Sequence, residues 1–164
     1  MKTLTLLTVT ALITMASPGF ADSKRTADYL RIEPTKHVDK EVTVDVLMVH
    51  PTHWKSPVAE LAFFHATTID RTDKKVSGTI LVAVAADKAA EFAKKYGTDY
   101  EGKNNRHALT GKFILVSGKG PSGLWMIDTT DKVAGLLKES KLTIPDGDKG
   151  ANFGGRIGRF RERN

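Results

Sequence analysis

A single change of hydrophobic period organises this chain. From Glu41 to Ala85 the apolar residues fall in three runs with the alternation, or the β-branched and aromatic content, of strands. After Ala86 they recur at helical spacing, and from Ala108 to Asp128 two further strand-like runs follow. Such a chain must fold as a mainly β domain with one helix set between its third and fourth strands. The first run, EVTVDVLMVH from Glu41 to His50, places Val42, Val44, Val46 and Met48 on one face and Thr43 and Asp45 on the other. Leu47 and Val49 make both faces apolar at its far end, as in a strand that curls until both sides are covered.

The second run spans Val58 to Ile69 and the third Gly78 to Ala85, joined by the polar turn Arg71 to Lys75. Asp87 is placed to cap the helix, Ala89, Phe92, Ala93 and Tyr96 share its face, and Gly97 is placed to end it. Ala108 to Gly118 and Leu124 to Asp128 form a hairpin about the turn Lys119 to Gly123. Thr130 or Asp131 then opens a short C-terminal helix whose Val133, Leu136 and Leu137 face the strands. Val44, Val46, Phe63, Val82, Ile114 and Ile127 are expected to share one core.

Three strands, a helix and a two-stranded hairpin is the element order of the five-stranded OB-fold barrel, and over Glu41 to Asp128 the chain resembles that fold. The resemblance rests on β-β-β-α-β-β order and on no diagnostic motif. It implies an OB-like barrel over residues 41–140, preceded by a lead-in segment, 22–40, with a turn around Tyr29 to Glu33. A flexible basic Gly/Arg-rich tail, 141–164, follows.

Residues 1–21 carry a different signal. Lys2 precedes an apolar run, Leu4 to Ala16, and Gly19 and Ala21 supply the small residues of a cleavage site before Asp22, the pattern of a secretory leader. The run is diluted by four threonines and falls short of the roughly twenty predominantly apolar residues of a membrane span, so no transmembrane anchor is expected. The expected location is periplasmic or extracellular. With no cysteine, the exported chain has neither disulfides nor thiolate metal ligands, and packing alone must hold it. Its net charge of +6 falls to +5 once Lys2 is removed, which favours anionic partners or an anionic envelope surface.

In an OB barrel the loop between strands one and two and the loop between strands four and five flank the ligand groove. The resemblance therefore brings Trp54 and Lys55, from the HPTHWKSP segment, towards Lys119 and the Gly118 to Gly123 backbone. An aromatic ring stacks on a base or sugar while lysine neutralises an anion. Exposure of Trp54 beside the lysines favours ligand binding; a Trp54 folded onto the barrel favours a scaffold. Arg71, Lys74 and Lys75 add positive charge at the second turn, which otherwise reads as a solvated hairpin tip. Arg156, Arg159, Phe160, Arg161 and Arg163 interleave arginine with aromatic rings in the tail, a composition suited to anionic surfaces.

His50 and His53, with His65 and Met48 near in sequence, are candidate copper or zinc ligands. A strand end and a loop have no common face, and no carboxylate stands at ligand spacing, so the sequence assigns no metal. It shows no cofactor fingerprint and no hydrolase motif. The staphylococcal nuclease type of OB-fold hydrolase, a metal-dependent phosphodiesterase, is the enzymatic alternative, but these strands carry few acidic residues and no stretch matches that family's run of aspartate, threonine, proline and glutamate. The expected function is thus non-enzymatic binding of a polyanion, nucleic acid or acidic glycan, or of an acidic protein. The alternative is a structural or stress-protective envelope protein acting through protein contacts.

Overall fold

The structure, a computed structural model, describes residues 24–97, 107–117, 119, 122–139 and 141–144. Five strands, β1 (Glu41–Pro51), β2 (Leu61–Ile69), β3 (Val76–Ala85), β4 (His107–Ser117) and β5 (Leu124–Asp128), close into a barrel in the order β1-β2-β3-β5-β4. The long β1 closes it by serving two neighbours: Glu41 to Val46 pair with β4, and Val46 to Pro51 pair with β2. All ladders are antiparallel except β3 with β5, where Leu81, Val82 and Ala83 run alongside Met126, Ile127 and Asp128. Closure gives each of the five described strands a neighbour on both sides, which limits the edge available to another chain. The second strand starts at Leu61 rather than Val58, because Ser56 and Val58 form a local turn, with Ser56 Oγ donating to the Val58 carbonyl (2.6 Å) and accepting from its N–H (3.2 Å).

Inside the barrel sit Val44, Val46 and Val49 from β1, Phe64 and Ala66 from β2, Ile80, Val82 and Val84 from β3, and Leu109, Phe113, Trp125 and Ile127. The alternation of β1 predicts Met48 on this face, and the structure places Val49 there instead. A bulge between Val46 and Met48 inserts one residue and reverses the phase, so Met48 turns outward opposite Thr67. Phe113 and Trp125 stack in parallel at 4.8 Å in the centre.

Two helices close the barrel's openings. Helix α2 (Ala89–Tyr96) covers one, with Phe92 against Phe64 at 5.0 Å and the Tyr96 hydroxyl donating to the Ala108 carbonyl at 3.1 Å. Asp87 does not cap it; residues Ala86–Lys88 form a 3₁₀ turn that leads into the helix, and Gly97, at φ 65°, ends it. The other opening is filled by α1 (Ala27–Ile32), which lies where the sequence shows only a polar lead-in with a turn. Six residues are too few to display a helical period. Its Ala27 and Leu30 are nevertheless fully buried in the barrel core, its N-terminal Thr26 accepts the Tyr29 N–H, and the Ala27 N–H donates to Thr68 Oγ1 at 2.9 Å. Gly78, at φ 78°, lies directly beneath this helix, where a Cβ would collide with the Asp28 carboxylate.

The segment after α1 carries His37, its ring 5.5 Å from Tyr29 and edge-on to Phe113. Burial, aided by nearby Lys40, lowers its pKa below the ordinary histidine value. The folded state therefore resists protonation, and its stability is highest above about pH 6.5, where the unfolded chain is also neutral at this site. That advantage is lost as pH falls through the depressed folded value. Thermal melting followed from pH 7.5 to 5 is expected to fall more steeply for the native chain than for His37→Phe; parallel curves would show that His37 contributes nothing to the slope.

The expectation of a single shared core is corrected by Phe63 and Ile114. Both are buried, yet on the outer surface of the sheet, where they join Leu61, Leu81, Ala83 and Met126 in a second cluster. Helix α3 (Val133–Lys138) roofs this cluster with Val133, Leu136 and Leu137, as the sequence predicts. Its start is set by Asp128, whose carboxylate accepts the N–H groups of Thr130 (2.8 Å) and Val133 (2.9 Å). Leu142 and Ile144, read from the sequence as the beginning of a flexible tail, are buried here as well. The packed part of the chain thus runs on through Ile144.

Candidate functional site

The loop from Thr52 to Glu60 lies against the outer cluster. The Thr52 N–H donates to the Phe63 carbonyl at 3.0 Å, folding the loop back over β2. Trp54 consequently packs on Phe63, ring centroids 4.7 Å apart at 34°, and with Val58 borders the same apolar surface as Val116 and Leu124 on either side of the β4–β5 turn. The first loop and the strand ends that flank the β4–β5 turn thus pack on one apolar cluster. Trp54 is half-buried, and its indole N–H is sealed from solvent without an acceptor among the described residues.

Around this roof the basic residues differ in how they are used. Lys55 and Lys119 are exposed on the two flanking loops, and neither forms an ion pair among the described residues. Lys74, at φ 61°, is exposed at the β2–β3 turn, while its neighbour Lys75 pairs with Asp73 at 3.3 Å. Arg71 is no part of a solvated tip. It reaches across to Asp45 on β1, at 2.7 Å, and Arg25 approaches the same carboxylate at 3.5 Å. Asp45 faces outward between Val44 and Val46 and is still completely buried, because these two arginines and the backbone of residue 25, whose carbonyl accepts the Asp45 N–H at 2.8 Å, lie over it. Arg156, Arg159, Phe160, Arg161 and Arg163 lie outside the described residues.

His50 and His65 are direct cross-strand partners on β1 and β2, whereas His53 stands apart, exposed on the loop. Among the described residues no three His, Cys, Asp or Glu side chains cluster closely enough to hold a metal ion, and no helix is long and apolar enough to cross a membrane.

A cleft of about 450 Å³ that the sequence does not single out opens between α2 and β4. Lys88 of the 3₁₀ turn and Glu91 and Lys95 of the helix line it, with Thr110 from β4 and Thr129 just beyond β5, and Tyr96 forms its wall with Lys95 Nζ 5.3 Å from the ring centre.

No protein-family model, curated protein or solved structure matches the chain. The class to which it is assigned therefore comes from its strands alone: a closed five-stranded β-barrel, consistent with an OB-like fold.

Proposed function

We propose that this protein is an exported, non-enzymatic binding module for a polyanion, a nucleic acid or an acidic glycan, held mainly by charge. The observation that carries the reading is the exposure of Lys55, Lys74 and Lys119 on three loops without acidic partners among the described residues, while Arg25, Arg71, Lys36 and Lys75 are paired within the fold. Charge left unpaired on a rigid barrel is available to a ligand or to an anionic envelope surface. The arginines of the tail would add to it. Trp54 already packs on Phe63, so recognition here depends on lysine rather than on an aromatic stacking platform.

Titrating the full chain with labelled single-stranded oligonucleotide and with a polyanionic glycan at several salt concentrations tests the reading. Saturable binding is expected for at least one of them, with log affinity falling linearly against log salt. Replacing Lys55 and Lys119 together by Ala should flatten that slope by about 0.7–0.9 per lysine that contacts a nucleic-acid phosphate. Absence of saturable binding at low salt removes the polyanion reading. The Trp54–Phe63 contact, which folds the indole onto the barrel, favours the second reading, a structural envelope protein whose barrel serves protein contacts.

A further inference from the structure

The bulge in β1 has a chemical result on the outer face of the barrel. By reversing the phase of the strand it turns Met48 and His50 outward together, and the register sets His50 directly opposite His65 and Met48 opposite Thr67. Directly opposed residues of an antiparallel pair bring their Cβ atoms to about 4.5–5.5 Å, and two residues further along the same face lie about 7 Å away. Two imidazoles and a thioether thus share one patch, with His50 exposed and Met48 and His65 half-buried. The outward positions of this paired stretch are Met48, His50, His65 and Thr67, and none is a carboxylate.

We propose that Met48, His50 and His65 form a binding site for monovalent copper. A thioether is a soft donor that selects Cu(I), and imidazole serves copper well, whereas these four strand positions offer no carboxylate to the hard divalent cations. The unbranched methionine side chain, with three rotatable bonds, can swing its sulfur towards an ion held between the histidines. His53, on the loop beyond the strand, is not part of the set. The site is independent of the polyanion reading, since no lysine enters it.

The test is a titration of the full chain with Cu(I) under anaerobic, reducing conditions in competition with bicinchoninate. One equivalent is expected to be withdrawn from the chelator. Met48→Leu, His50→Ala and His65→Gln should each weaken binding by at least about tenfold, with His53→Ala unchanged and the melting temperatures of Met48→Leu and His50→Ala preserved. With Ag(I) as a redox-silent probe, the Met48 methyl resonance should move while that of Met126, sealed in the outer core, stays in place. Failure to withdraw copper overturns the proposal, as does unaltered affinity in Met48→Leu or loss of affinity in His53→Ala.

Discussion

Replacing Arg71 by Ala is expected to lower the stability of this protein by about 3 kcal/mol, the low end of the cost of breaking a buried ion pair by removing one partner. The carboxylate of Asp45 has no access to water, and Arg71 is its near cation at 2.7 Å. Without it the charge stays buried, with Arg25 3.5 Å away rather than a cation at 2.7 Å. The reverse deletion should be milder. Asp45→Ala leaves two guanidinium groups whose side chains are 34 % and 36 % exposed and can turn to solvent. The double variant Arg71→Ala, Asp45→Ala is therefore expected to be more stable than Arg71→Ala alone. Urea denaturation of the four proteins gives the coupling directly, and a double variant that simply adds the two losses would show that the pair does not act as a unit.

Phe63→Ala is the second large effect, about 3–5 kcal/mol for the loss of a buried aromatic side chain. Because Phe63 is also the surface on which Trp54 rests, the same substitution should release the indole. In a Trp125→Phe background, where Trp54 is the remaining tryptophan, its fluorescence should shift to the red on replacing Phe63. Unchanged emission would mean that Trp54 is held by Val58 and its own loop rather than by Phe63.

The strand order and the inserted helix were legible because each strand carries its own run of apolar and β-branched residues; Leu124 to Asp128 is read with the same limits that the structure gives it. The phase of β1 was not, since LMV is apolar at every position and a bulge leaves no mark in such a run. The division into two cores was hidden for a related reason. FILV in β4 and LWMI in β5 are apolar on both faces, so the pattern shows that these strands are buried but not that Ile114 and Ile127 face opposite ways. Helix α1 and the Leu142 and Ile144 anchor are too short to carry a period, and their neighbours are polar. The site was less readable still. Arg71 looks like any basic turn residue until β1 brings Asp45 beneath it, and the pairing of His50 with His65 depends on a register shift.

The outer cluster also dictates when the molecule can be finished. Every described strand of the barrel lies before Thr129, but Val133, Leu136, Leu137, Leu142 and Ile144, which complete the cover over Phe63, Leu81, Ile114 and Met126, come after it. A nascent chain that has made all its β ladders still presents an open apolar flank, the kind of surface on which partly folded chains associate. The stretch synthesised after the fifth strand thus acts as the seal of a barrel already built, and a chain cut short before Val133 would carry the architecture without its protection.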